Sequence, residues 1–185
     1  MKDTLDKLST PTIALHWLVG VVIVFMIPVA IYMADYEVFF LYPIHKSIGV
    51  TLFVFIIARV VWRVINGWPK PVSEYQKWEQ ILAKIVHWVL IVGTVLLPIS
   101  GMTMSGAGGY GIPWFGLELM AMNVDPNDVT VVLPINELAA EIGHEIHHLL
   151  AIVMSVSILL HIAGALKHHF IDKDKTLQRM VGKSV

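Results

Sequence analysis

The chain has 185 residues, of which 56% are hydrophobic and 15% charged, with a formal net charge of −1 and a mean hydropathy of +0.71. Soluble domains are usually about 45–50% apolar and about 25% charged, so lipid is expected to replace water around much of this surface. The near-neutral charge gives no attraction to nucleic acid. The absence of cysteine excludes disulfides, thiolate metal sites, iron–sulfur clusters and covalent haem of the CxxCH type.

Four long apolar stretches predict membrane-spanning helices, at about residues 11–34, 43–65, 82–104 and 142–170. Each stretch is long enough to cross a hydrocarbon core of ~30 Å at ~1.5 Å per residue, and lipid cannot satisfy free backbone groups in any less regular structure. The sequence therefore predicts an all-α, single-domain membrane four-helix bundle. A signal peptide is the alternative for the first stretch, but that stretch is longer than a usual signal-peptide core and holds His16 near its start.

The charged residues predict how the spans are oriented. Residues 59–84 and residues 167–185 each carry five Lys or Arg, whereas residues 118–145 carry six Asp or Glu and no Lys or Arg. By the positive-inside rule the two basic segments face the cytoplasm, so both termini lie inside, which agrees with four spans. The acidic connection then lies outside, and its Gly, Pro and Trp content favours a partly ordered cap over a fifth span.

The histidines within the spans lie at two depths. His147 and His161 are fourteen residues apart, a rise of ~21 Å and ~40° short of four full turns, so they project to roughly the same side of span four near opposite membrane faces. His45 matches His147 at the outer depth, and His16 and His87 match His161 at the inner depth. A packing role is the simpler interpretation for any one of them. Ionisable groups are costly in a membrane, however, and five at two matching depths favour a function.

Paired neutral imidazoles are suited to axial ligation of haem iron, and bis-histidine ligation leaves no open position at the metal. A four-helix bundle commonly holds such a cofactor between facing helices. Two haems, one above the other, would form an electron path from one membrane face to the other. Zinc is the main alternative, but a structural zinc site prefers four ligands at one place, and these histidines divide into two groups.

Five stretches of the chain carry a recognisable pattern, namely "ALHWLVG", "IHKSIGVTLFVFIIARVVWRV", "IVHWVLIVGTVLLPISGM", "IHHLLAIVMSVSILLH" and "HHFIDKDKTLQRM". They resemble the bacterial di-haem cytochrome b561 family, of the superoxide:quinone oxidoreductase type. The resemblance implies a four-helix bundle in the bacterial inner membrane, two haem b groups, and electron transport to or from ubiquinone. Its most concrete implication is that superoxide is oxidised at the outer face and quinone is reduced near the inner face.

Carried over by position, the resemblance implies that His16 and His161 are the axial ligands of the inner haem, and that His45 and His147 are those of the outer haem. Adjacent residues on a helix differ by ~100°, so only one of His147 and His148 can face the cofactor, and the spacing favours His147.

Two histidine assignments stay open at this point. His87 is either a residue beside the inner haem or quinone, or the ligand that replaces His16. His144 lies nearly on the face of His147, one turn further out, and is the reserve ligand.

Four residues are candidates for the inner haem or quinone pocket, namely His87, Arg59, Trp17 and Lys84. Arg59 follows His45 by fourteen residues, which puts it near the inner depth. There its guanidinium could donate hydrogen bonds to haem propionates or quinone oxygens. The alternatives are that Arg59 and Arg63 extend to the interface and set the topology, and that Trp17 packs in an aromatic belt.

Lys46 is the only Lys or Arg in the outer segments, against eight outer carboxylates, so the sequence offers little attraction for an anion such as superoxide. A haem subunit docked to a peripheral dehydrogenase subunit is therefore an alternative within the same chemistry. The alternative from another class is a haem-free metal transporter that uses histidines as a relay.

Overall fold

The computed structural model describes residues 2–4, 6–69, 71–73 and 75–184. Its helices are α1 (Thr10–Asp35), α2 (Leu41–Asn66), α3 (Lys77–Ala107), α4 (Glu137–Phe170) and the short α5 (Thr176–Met180). Each of the four predicted spans lies inside one of the first four helices, and all four are long and apolar enough to cross a membrane. The predicted four-helix membrane architecture is confirmed, and each helix extends beyond its predicted bounds.

Local hydrogen bonds explain where two of the helices begin. At the start of α3, Gln76 and Glu79 form a capping box, in which each side chain accepts a bond from the other residue's backbone N–H. At the start of α4, Oδ1 of Asn136 accepts a hydrogen bond of 2.9 Å from the Ala139 N–H. This cap lets α4 begin more than one turn before residue 142, where the apolar pattern predicts its start.

The bundle has two ends, which we name by what lies there. The hairpin end carries the connections that follow α1 and α3, and the terminal end carries residues 2–4, 6–9 and 171–184. The described parts of both termini lie at this one end, because Asp3 pairs with Arg63 in the last turn of α2 and Trp17 in α1 donates a hydrogen bond to Met180. α3 and α4 form the most extensive helix pair, and α1 packs against α2.

The fully buried core is small and is centred on Val19 and Ile23 of α1 and Leu52 and Ile56 of α2. Many large apolar side chains point outward instead, and Phe25 is 68% exposed. Such an apolar exterior is expected of helices surrounded by lipid, since acyl chains are as apolar as the side chains they contact.

The connection between α3 and α4 folds as two antiparallel hairpins, β1 (Ile112–Trp114) with β2 (Leu117–Met120) and β3 (Val124–Asp125) with β4 (Asp128–Val132). Phe115 and Gly116 in the first turn have φ of 45° and 91°, and a type I′ turn requires positive φ at both positions. The predicted cap is therefore more ordered than its composition suggests, and no fifth span occurs among the described residues.

The first hairpin is anchored to α2 next to His45. The Ser47 hydroxyl oxygen accepts a hydrogen bond of 3.1 Å from the Phe115 N–H, and Trp114 Nε1 donates one of 2.9 Å to Thr51 Oγ1. These contacts hold the cap against the hairpin end of the bundle.

Candidate functional site

Two of the predicted imidazoles face each other at the hairpin end. The ring centroids of His45 and His147 are 6.4 Å apart, with the ring planes at 79°. Both line a cavity of about 180 Å³ whose other walls are mostly apolar and which His148 also borders. The His144 side chain is 64% exposed and lies beside Glu145. The structure thus brings His45 and His147 together and leaves the reserve candidate outside the cavity.

A hydrogen bond to α3 orients His147. Its Nδ1 lies 2.9 Å from the backbone carbonyl oxygen of Leu97 and 3.2 Å from the Ser100 hydroxyl oxygen. A carbonyl oxygen only accepts, so Nδ1 carries the proton and Nε2 keeps the lone pair that can bind a metal. His45 differs, because its Nδ1 is buried without a hydrogen-bond partner.

Three imidazoles meet at the terminal end. The His161 ring centroid lies 6.1 Å from that of His16 and 5.3 Å from that of His87. The Arg59 guanidinium is close enough to interact electrostatically with all three. Within the described residues, no group of three or more His, Cys, Asp or Glu is arranged to share one metal ion.

The other two predicted pocket residues also belong to this end. The Trp17 ring centroid is 5.6 Å from that of His16, and Trp17 Nε1 donates a hydrogen bond of 2.8 Å to the Met180 carbonyl oxygen. Lys84 is exposed and lies about one turn before His87 on α3. The structure places Trp17 beside His16 and leaves Lys84 exposed.

The imidazole spacing allows a test of whether haem fits these residues. Two metal–imidazole bonds of about 2 Å, plus about 1.1 Å from each nitrogen to its ring centre, separate two axial rings by about 6 Å. The His45–His147 and His16–His161 centroid distances, 6.4 Å and 6.1 Å, match this value, whereas the His87–His161 distance of 5.3 Å is shorter. Together with the apolar walls and the free Nε2 of His147, this spacing fits haem b ligation.

Sequence reasoning missed the groups that orient these side chains. Leu97 acts through its backbone carbonyl, which leaves no side-chain signal. Ser100 and Gly101 are two adjacent small residues in an apolar run. Their size indicates that another group approaches α3 closely there, but it does not indicate which group. Met180 reaches Trp17 from the far end of the chain.

Comparison with known proteins shows which family the chain belongs to. The model of the family described as prokaryotic cytochrome b561 matches residues 7–183. The chain is 32% identical to "Cytochrome b561 homolog 2" of Escherichia coli (strain K12), over 98% of this chain and 95% of that protein. It is 28% identical to "Cytochrome b561 homolog 1" of the same organism, over 74% and 72%. It is also 29% identical to "Probable superoxide oxidase CybB" of Yersinia pestis, over 76% and 74%.

Four membrane-spanning helices and a match over nearly the whole chain define a membrane b-type cytochrome, for which haem b is the cofactor implied. The chain belongs to the prokaryotic cytochrome b561 family, as the resemblance of its sequence motifs predicts. Membership of a prokaryotic family of membrane proteins indicates the inner membrane as its location.

Proposed function

We propose that the protein carries electrons across the bacterial inner membrane by means of two haem b groups, one at each end of the bundle. His45 and His147 hold the haem at the hairpin end, and His16 and His161 hold the haem at the terminal end. The observation that carries this proposal is the spacing of the two imidazole pairs, 6.4 Å and 6.1 Å, with one member of each pair on α4. When bound, haem b supplies reversible one-electron transfer at its iron.

The terminal end faces the cytoplasm in this proposal, and the hairpin end faces outside. The support is the charge distribution, because the two segments with five Lys or Arg each, residues 59–84 and 167–185, both adjoin the terminal end. The hairpins of the opposite end fall within residues 112–145, which have six carboxylates and no Lys or Arg.

Quinone binds at the terminal end, beside His87, Arg59, Trp17 and Lys84. The His87 ring centroid is 5.3 Å from that of His161, which is closer than the axial spacing. We therefore assign His87 to hydrogen-bond a quinone oxygen and not to ligate the haem. The Arg59 guanidinium would stabilise negative charge as it develops on the quinone oxygen. Trp17 supplies an aromatic wall of the quinone site. The exposed ammonium group of Lys84 would attract an anionic form of the quinone.

The specific reaction proposed is oxidation of superoxide at the hairpin end, coupled to reduction of quinone at the terminal end. Each superoxide loses one electron and becomes dioxygen, and two such electrons with two protons convert one quinone to one quinol. The relative named a probable superoxide oxidase, at 29% identity, supports this reaction. Lys46, next to His45, is placed to attract the anion, and its Nζ donates a hydrogen bond of 3.3 Å to the Tyr110 carbonyl oxygen.

The acidic hairpin end favours a second candidate function. Eight carboxylates against one lysine in the outer segments oppose the approach of a small anion. A haem subunit that receives electrons from a peripheral dehydrogenase subunit has no such requirement. Purification of the protein from its native membrane distinguishes the two, because a dehydrogenase subunit that stays bound through purification favours this second function.

Reduced-minus-oxidised spectra of the purified protein test the central proposal. We expect b-type bands and about two haems per chain. His147→Ala and His161→Ala should each lose one haem, and each should lose a different one. The control His144→Ala should keep both, because its side chain is 64% exposed and lies outside the cavity. Two-haem loading of His161→Ala would contradict the ligand assignment, and a colourless folded protein would favour the histidine-relay transporter.

A second pair of variants separates the roles of His16 and His87. His87→Phe should keep both haems and lose quinone reduction, whereas His16→Ala should lose the terminal-end haem. The reverse result would make His87 the ligand. Stopped-flow decay of superoxide in the presence of quinone tests the reaction itself, and a rate no faster than spontaneous dismutation would reject it.

A further inference from the structure

We propose that one turn of α3, residues 97–101, is a positioning element for His147 that fixes its tautomer and ring orientation and lowers the reduction potential of the hairpin-end haem. This inference rests on the proposed haem ligation. The three groups involved are the Leu97 carbonyl, the Ser100 hydroxyl and the bare backbone of Gly101, and we call them the His147 cradle.

The hydrogen bonds of the cradle determine the tautomer of His147. The Ser100 hydroxyl donates its own proton to the Leu97 carbonyl oxygen, at 2.8 Å. Its oxygen is then an acceptor towards His147 Nδ1, 3.2 Å away, as the Leu97 carbonyl oxygen is at 2.9 Å. Both neighbours accept, so Nδ1 is protonated and Nε2 has its lone pair directed away from α3.

Gly101 leaves the space in which the imidazole lies. A Cβ added at this position would lie 2.9 Å from Cε1 and 3.1 Å from Nδ1 of His147. A side chain at this position would therefore force the imidazole or the adjoining backbone to shift, which would disturb the hydrogen bond to the Leu97 carbonyl. The absence of a side chain at Gly101 and the hydrogen bond to Leu97 thus act together on the same ring.

The cradle makes His147 different from the other proposed ligands. Within the described residues, the ring nitrogens of His16, His45 and His161 make no hydrogen bond, and Nδ1 of His45 is buried without a partner. Donation from Nδ1–H increases the electron density that the imidazole gives to a bound metal. Greater ligand basicity favours the oxidised iron, so the hairpin-end haem has a lower reduction potential than an unsupported imidazole would give it.

This effect favours electron flow from the hairpin end to the terminal end. The positive charge of Lys46 beside His45 acts in the opposite direction, because a nearby cation favours the reduced iron. The test therefore compares each variant with the unaltered protein and does not rely on the absolute potential of either haem.

Ser100→Ala tests the hydrogen-bond contribution in the purified holoprotein. We expect both haems to stay bound and the midpoint potential of one haem to rise, namely the haem that His147→Ala removes. Thr103→Ala is the matched control, because Thr103 makes the same kind of bond to a helix carbonyl, 2.9 Å to Ile99, without touching a histidine. Potentials of Ser100→Ala that equal those of Thr103→Ala, that fall, or that change only at the other haem would overturn the proposal.

Gly101→Ala tests the space for the ring. We expect selective loss or weakened ligation of the hairpin-end haem, seen in haem content and in the low-spin electron paramagnetic resonance signal, with the terminal-end haem retained. Gly93→Ala is the packing control, since an added Cβ there meets Met154 and no histidine. Full, unperturbed two-haem loading of Gly101→Ala would overturn the cradle. A wild-type protein without haem would instead overturn the proposed function on which the cradle depends.

Discussion

At the terminal end, the carboxylate of Asp3 joins the N-terminal segment to α1 and α2. It accepts hydrogen bonds from the Ser9 N–H and hydroxyl at 2.8 Å and 2.7 Å and from the Thr12 hydroxyl at 3.0 Å. Its Oδ2 also lies 3.1 Å from Arg63 Nη1, and its side chain is 8% exposed. Burial alone would raise the pKa of Asp3, but the hydrogen bonds from Ser9, Thr12 and Asn66 lower it from 3.8 to about 2.

Asp3→Asn is expected to destabilise the protein, because the neutral amide loses the charge that these donors surround. The expected cost is about 1–3 kcal/mol at neutral pH. A pKa that is lower in the folded than in the unfolded state stabilises the fold above about pH 4, and this contribution is lost as pH falls towards about 2. The difference in unfolding midpoint between the two proteins should therefore be constant from about pH 5 to pH 7 and shrink below about pH 4.

Asp6→Asn provides the control, because Asp6 is exposed and lies in the same segment. It should change the midpoint little at any pH. A difference between wild type and Asp3→Asn that persists undiminished to about pH 2 would contradict the role of the ionised carboxylate.

On the scale of single elements, the four long helices could be predicted because apolar length is the main requirement for crossing lipid. The two hairpins could not, because their strands are two to five residues long and carry no sustained alternation. The turn of the first hairpin depends on positive φ at Phe115, a residue type that rarely adopts it, and at Gly116. α5 is too short to produce a helical period and is held by contacts with distant residues.

The candidate site could likewise be predicted from the sequence only in part. The depths of its histidines follow from helix rise and rotation. As this arithmetic predicts, the structure brings His45 to His147 and brings both His16 and His87 to His161. The orientation of each ring does not follow, because it depends on backbone carbonyls and on empty space at Gly101. Arg63, for which topology is the simpler interpretation in the sequence, has a definite partner in Asp3.

The contact between α3 and α4 at mid-membrane depends on a glycine opposite a methionine. Met154 is fully buried, and a Cβ added at Gly93 would overlap its Sδ. Gly93→Ala should therefore destabilise the fold by about 1–3 kcal/mol through overpacking. Met154→Ala alone should cost about 2–5 kcal/mol through the cavity it leaves. The double variant should lose less free energy of unfolding than the two single variants lose together, as measured by denaturant unfolding in detergent. Strict additivity would show that the two positions do not share this space.

On the scale of the whole molecule, charge divides the two ends of the bundle. The terminal end carries the basic segments and an ion-pair cluster in which Lys167 Nζ lies 2.9 Å from Asp172 Oδ2. The hairpin end carries most of the acidic connection. This division is the physical basis for assigning one end to the cytoplasm, since basic segments are retained on that side during insertion.

Single-cysteine variants test the orientation directly, because the chain has no cysteine of its own. Asn127→Cys lies in the exposed turn between β3 and β4, and Lys183→Cys lies in the exposed C-terminal segment. A membrane-impermeant maleimide should label Asn127→Cys on intact spheroplasts and Lys183→Cys only after lysis. Labelling in the opposite order would reverse the proposed topology, and with it the side on which each substrate is met.

The hydrogen bond from Trp17 to Met180 also bears on biosynthesis. Residue 180 leaves the ribosome after the whole of α4, so His161 of α4 can pack beside His16 of α1 before Met180 is available to accept this hydrogen bond. The contact between residues 17 and 180 is therefore among the last that the described part of the chain can form as it is synthesised.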